Sequence, residues 1–442
     1  MTTRDNGAVG RRLLAATLLL TPFQIYTVAI GEVYLPLVLV LALSLFVFYD
    51  SARLLKTSIT MQCWAALMLL EGISLLWSIS AREGIREIIY SLPFFVVFAA
   101  CMHESRRNPR FVISILIAYS VLTLAQSALI IFFRFEPDIK MQYLQGRLAE
   151  IFANPSTIND LFGDVRNNVL DPDKSGGFEA NANSGAAWVG LVGMVTIGLA
   201  VALRRKWLLI IGVVHMAAIA FTGSKAAIMV ACSMVGMMWL TMFISRKMTP
   251  TRLALLVLCV VVLASLGAVV VTVGASTDFG QSSSDTLDSR KLIWAHAATE
   301  FTKNPIFGQG FGGWSASFQS YAWQQKIPDY FPPHDTFIRL WSQSGVLAVL
   351  LGAAFMIAFS MEMLKLIRSG SRIAAWIGAG IWCGFLFISI QGLGENWGLF
   401  GTLRMSPYLA ACFALSRVLS YHVQPIKQHP VLHTFNGQIE HV

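Results

Sequence analysis

The feature that most constrains this chain is a recurrence of apolar runs, each about as long as a bilayer crossing, separated by short joints. Of 442 residues, 55% are hydrophobic and 13% charged, too few polar side chains to cover a water-soluble surface. The sequence therefore predicts an all-α polytopic membrane protein. About twelve spans can be read, at 12–30, 33–49, 61–79, 87–103, 111–133, 184–203, 207–222, 225–245, 252–274, 337–361, 374–391 and 397–417. Arg11 and Arg12 precede the first run as they would in a signal peptide. That run has no small-residue cleavage site and leads directly into the next, so it reads as a retained span.

Orientation follows from Lys and Arg near span ends, which resist translocation. The joints RLLK (53–56), ESRRNPR (104–110), RRK (204–206), SRKMTPTR (245–252) and KLIRSGSR (365–372) alternate with basic-poor joints along the chain. Twelve spans with both termini cytoplasmic satisfy the rule at every joint. The formal charge of +9 is thus mostly an inside bias, and nucleic acid is not an expected partner. Cys63, Cys101, Cys232, Cys259, Cys383 and Cys412 all fall within spans, which leaves no disulfide or thiolate metal site for the outer loops.

The expected domain organisation is one integral membrane domain over 1–442, with a cytoplasmic tail at 419–442 and two long outward loops at 134–183 and 275–336. Such loops far exceed ordinary connections, and their Trp, Phe and Gly content favours order and a working face outside. In the second loop, Asp285 or Asp288 can cap a helix running to about Thr302, ended by Asn304-Pro305. Arg290, Trp294, Ala297 and Phe301 recur on one face of it. Gly308, Gly310, Gly312 and Gly313 suit either a backbone cradle for a ligand or a tight loop. Trp314, Phe318, Tyr321, Trp323, Tyr330 and Phe331 suit either stacking on sugar rings or, for most of them, an interfacial aromatic belt.

His334 follows Pro332-Pro333 and precedes an apolar helix, so its ring is expected at the outer mouth of the bundle with a pKa suited to proton transfer near neutrality. His103 adjoins a basic joint, His422, His429, His433 and His441 lie in the tail, and His215 reads as a packing residue within a span. Lys225 stands at an outer edge where the inside rule predicts no cation, either to meet an anion or to snorkel. Arg147 and Arg166 precede the Gly- and Asn-rich stretch GGFEANANSGAAWVG (176–190). Glu71 and Arg404 are ionisable groups at membrane depth, expected to pair with each other, face a cavity or contact substrate.

Four stretches, GGFEANANSGA, TGSKAA, SRKLIWAHAATEFTKNPIFGQGFGGW and HDTFIRLWSQSGVLAVLLG, resemble the O-antigen ligase and Wzy-type polymerase superfamily of bacterial envelope glycosyltransferases, over about 140–395. The resemblance implies a GT-C-like fold and a metal- and cofactor-free transfer of glycan from undecaprenyl diphosphate. The acceptor would be lipid A core or another lipid-linked glycan, and the site would face the periplasm of the inner membrane. It implies that His334 and Arg290 are catalytic, that Lys225 stands where the family commonly has Arg, and Asp335 where Asn commonly follows the His. Arg147 or Arg166 would supply a further basic residue, and Arg404 and Asp335 would complete the substrate contacts. A flippase or transporter of the same lipids would instead show internal repeats and broken helices, and no repeat at fixed spacing is present.

Overall fold

The computed structural model describes residues 3–30, 33–49, 58–162, 168–244, 278–325, 332–395, 397, 399 and 401–423. The expected span at 252–274, together with Arg166, Tyr330, Phe331 and most of the tail, lies outside the described residues. What is described is almost entirely helical. Seven helices are long and apolar enough to cross a membrane: α3 with its one-turn extension (Ile59–Trp77), α4 (Ala81–Arg107), α5 (Pro109–Phe135), α9 (Ala182–Leu203), α11 (Lys225–Phe243 of Lys225–Ile244), α14 (Thr336–Ile367) and α15 (Arg372–Gly392). They match seven of the expected spans within a few residues.

Other expected spans take different forms. The run at 12–30 is a helix only as far as Leu20 (α1, Thr3–Leu20), because the chain turns at Pro22 and continues as a hairpin of β1 (Tyr26–Ile30) and β2 (Val33–Pro36). The run at 33–49 accordingly retains only a short helix, α2 (Leu37–Ser44), extended by one turn to Val47. The run at 207–222 is α10 (Lys206–Phe221), 16 residues long and shorter than a usual crossing. The last run becomes a loop through 401–405 followed by α16 (Ser406–Val423).

The centre of the bundle is α9, whose small residues let its neighbours approach backbone to backbone. A Cβ at Gly198 would lie 2.9 Å from the Cα of Gly380 on α15, and one at Gly190 would lie 2.4 Å from the Phe387 ring. In a bilayer, where apolar burial gives helices little reason to associate, this close packing is what holds them together. His215 of α10 has the satisfied role expected of it, with Ser127 Oγ at 2.8 Å and the Ser120 carbonyl at 3.0 Å.

The first long loop folds as α6 (Pro137–Gln145), α7 (Arg147–Phe152) and α8 (Pro155–Asp160), followed by tight turns through 168–181. Arg404 anchors this cap to the bundle. Its guanidinium donates to the carbonyls of Pro22 (3.1 Å) and Phe152, pairs with Glu179 at 3.1 Å and sits over the Trp188 ring. The second loop gives α12 (Asp278–Lys303), which begins before the expected Asp285 or Asp288 cap, and α13 (Trp314–Gln325).

Candidate functional site

Helix α14 starts where it does because Pro332 and Pro333 cannot continue a helix backwards, and because Asp335 caps it. One Asp335 carboxyl oxygen accepts from the backbone N–H groups of Phe337 (2.7 Å) and Ile338 (2.9 Å). Asp335, expected among substrate contacts, is thus engaged as the helix cap. His334, immediately before the cap, adopts φ +50, a conformation that costs a non-glycine residue about 1–3 kcal/mol and collects at functional sites.

Three connections converge on this turn. Trp294 of α12 donates its indole N–H to the Pro333 carbonyl at 3.2 Å, and Arg290, one helical turn earlier, is thereby brought beside His334. Thr336 donates to the carbonyls of Gly392 (3.0 Å) or Trp397 (3.2 Å), which fixes the turn after α15 against the start of α14. That turn carries Glu395, paired with Arg290 at 3.3 Å and accepting from the Asn183 amide at 2.6 Å. Gly394 leaves the Arg290 guanidinium room to lie against this turn: a Cβ there would come within 2.9 Å of it and push the side chain aside.

Burial and the Arg290 charge beside it hold the His334 imidazole well below its usual range, at about 4. The expectation of a pKa near neutrality is therefore corrected: the ring is neutral at pH 7 and is a weak base. Burial pushes the Glu395 carboxyl up to about 7, against the pull of Arg290 and Lys174. Two cations, Arg290 and Lys174, thus act on the one carboxylate, and Lys174 in turn lies near Lys225, which extends the basic cluster. Lys174 donates to the Gly223 carbonyl at 3.1 Å, just before Lys225. Such a cluster can compensate an anion carrying more than one charge.

Lys174 and Glu395 were not anticipated from the sequence. Among the described residues of the first loop, Lys174 reaches the cluster, whereas Arg147 is exposed at the start of α7 and Arg166 lies outside the described residues. Arg404 reaches neither Glu71 nor the cluster, because its three nitrogens are engaged by Pro22, Phe152 and Glu179. The signal that could have revealed Glu395 was its place in GLGENWG, a carboxylate between glycines at a span end.

Beneath the cluster lies a cavity of about 650 Å³, bordered by Thr336, Glu395, Trp397, Glu71, Glu87 and Arg339 among others. Arg339 pairs with Glu87 at 2.7 Å, and the Gln343 amide donates to the same carboxylate at 2.7 Å. Arg339 was also missed, although a cation at that end of a span breaks the same inside rule that singled out Lys225.

The glycine loop is settled as a packing device. Helix α14 is broken at Ser344 and Gly345, and the loop fills the break: Gln309 N–H donates to the Ser342 carbonyl (2.8 Å), and Val346 N–H reaches the Pro305 and Ile306 carbonyls (3.3 and 3.2 Å). Phe311 is held on both sides, its N–H by Ser74 Oγ and its carbonyl by Ser78 Oγ. With its backbone so engaged, the loop is not a free cradle. The aromatics divide similarly: Trp314 and Phe318 are buried with His296, Ile293 and Ala297 in a small core, while Trp323 is exposed.

A comparison with curated proteins returns no match. A family model described as O-antigen ligase matches residues 213–353, from the middle of α10 to the middle of α14, and includes Lys225, Arg290 and His334. Over that segment, about a third of the chain, the sequence is similar to the O-antigen ligase family.

Proposed function

We propose that the protein is an inverting glycosyltransferase that moves a glycan from undecaprenyl diphosphate to a sugar hydroxyl on lipid A core. In this reading it is a single GT-C-like domain of about twelve spans in the bacterial inner membrane, with both termini cytoplasmic and the cluster facing the periplasm. The basic joints at 104–110, 204–206 and 365–372 all lie at the opposite end of the bundle from His334, which supports that orientation.

The observation that carries the reading is Arg290 beside His334 and paired with Glu395, a carboxylate that borders a polar cavity and is also acted on by Lys174, with Lys225 next to Lys174; Lys225, Arg290 and His334 lie in the segment similar to the O-antigen ligase family. The three cations would bind the donor diphosphate, displacing Glu395 from Arg290. The acceptor oxygen attacks C1 from the face opposite the diphosphate and its proton passes to the His334 imidazole. The C1–oxygen bond breaks, and its electron pair stays on undecaprenyl diphosphate, where the side-chain cations stabilise it without a metal. Donor binding would also strengthen the base, because a diphosphate compensates the Arg290 charge that depresses the His334 pKa.

Polymerisation onto a second lipid-linked glycan uses the same steps with a different acceptor. The test is to give purified protein a defined undecaprenyl-diphosphate glycan, with and without lipid A core, and to measure free undecaprenyl diphosphate. Release that requires the core supports ligation. Release and chain growth with donor alone identify a polymerase, and no release under either condition refutes glycosyl transfer.

A further inference from the structure

The 650 Å³ cavity carries a second set of unusual groups, away from the cations assigned to diphosphate. Glu71 on α3 is 4% exposed and borders the cavity, yet its Oε2 has no hydrogen-bond partner among the described residues. Ser406, at the start of α16, is also 4% exposed and borders the same cavity with an unpartnered Oγ. A buried polar atom left without a partner costs about 1–3 kcal/mol. Two of them on separate helices, in residues that border one polar cavity, point to a ligand that supplies hydrogen bonds.

The character of that ligand follows from the surrounding wall. Both arginines there are already engaged, Arg339 by Glu87 and Arg86 by Glu83. Neither Arg290, Lys174 nor Lys225 borders the cavity, and Glu71, Glu87 and Glu395 do. A wall with three carboxylates and only paired cations is unsuited to a diphosphate. It suits uncharged hydroxyl donors, and Trp397 and Tyr90, aromatic residues of the kind that stack on sugar rings, border it. The volume falls within the range of about 300–1,000 Å³ common for small-ligand sites. The Glu87–Arg339–Gln343 network holds the outer half of α14, which begins two residues after His334, so a ring in this cavity lies next to the reacting end.

We infer that the cavity is the binding subsite for the acceptor sugar, with Glu71 and Ser406 accepting or donating hydrogen bonds to its hydroxyls. The inference rests on the glycosyl-transfer reading and adds which residues select the acceptor. Two sources share this acceptor chemistry, a core oligosaccharide and the terminal sugars of a glycan repeat, and both serve as probes.

In the turnover arm, Glu71→Gln and Ser406→Ala should raise the KM for the acceptor by about tenfold or more, the worth of a hydrogen bond to a charged or buried group. KM for the donor should stay within about twofold. Ser406→Ala removes a hydroxyl with no hydrogen-bond partner among the described residues, so its fold should be intact. In the binding arm, saturation-transfer NMR with delipidated core oligosaccharide or with a free repeat oligosaccharide should show contact with the wild type and a weakened signal with both variants. Whichever oligosaccharide gives the signal identifies the source. Unchanged acceptor KM in both variants of an active enzyme, or no saturation transfer from wild type to either oligosaccharide, overturns the subsite. If wild type binds an oligosaccharide but transfers nothing, the transfer reading fails while the subsite stands.

Discussion

At the scale of single residues, the centre of the account is the exchange of partners at Arg290. In the structure Glu395, only 12% exposed at its side chain, holds Arg290 at 3.3 Å. Its carboxyl, raised to about 7 by burial, is largely neutral below that pH and anionic above it. The anionic form competes with a diphosphate for Arg290 and repels it. Donor KM should therefore rise as pH rises through about 7, and Glu395→Gln should flatten that dependence while keeping an oxygen for the Asn183 amide. A donor KM in Glu395→Gln that still follows the wild-type pH profile would remove Glu395 from this role. Glu395 was hidden in the sequence for a physical reason: a carboxylate in a basic-poor joint is unremarkable until its burial and its partner on α12 are known. His334 was legible because two prolines and an apolar helix fix its position, but its depressed pKa was not, since that depends on burial in the folded turn and on Arg290 arriving from 44 residues earlier.

Among the elements, broken helix α14 does most to shape the site. Its outer segment carries Thr336, Arg339 and Gln343 to the cavity, and the break at Ser344 and Gly345 lets the segment be held by the 305–311 loop. Irregular backbone at membrane depth survives only where protein or a cavity satisfies its polar groups, and here the loop does so. Gly345 has φ +78, and a Cβ there would lie 1.7 Å from the Ile306 carbonyl oxygen. Gly345→Ala should destabilise the protein by about 3 kcal/mol, the upper range of overpacking, seen as a lower Tm in detergent. Gly236→Ala on α11, where nothing lies within 4 Å, should leave Tm unchanged or slightly higher. Equal shifts for the two variants would contradict the packing assigned to the loop. The sequence could mark the glycines, but it could not say whether their backbone serves a ligand or the protein, because that depends on a break 35 residues later in α14. In the same way Arg404 stood out as a costly cation, while its partners Pro22, Phe152 and Glu179 come from three distant segments.

For the whole molecule, hydropathy made the long spans legible because each satisfies its own backbone within one continuous apolar run. It failed at 12–49, where an apolar run of the right length contains Pro22 and β-branched residues and forms a turn and a hairpin. Length and apolarity alone do not distinguish these outcomes. The assembled bundle places its basic joints at one end and, at the other, His334, the cation cluster and the cavity. This division suits a reaction whose lipid carrier stays in the bilayer while two hydrophilic glycans meet above it. The measurement that tests this account most directly is the rate of undecaprenyl diphosphate release from a defined lipid-linked glycan by wild type and by His334→Ala, each checked for the same Tm and yield. The account predicts an intact fold with a rate lower by about 100- to 10,000-fold, the usual contribution of a positioned general base. A His334→Ala protein that releases undecaprenyl diphosphate at close to the wild-type rate would contradict it.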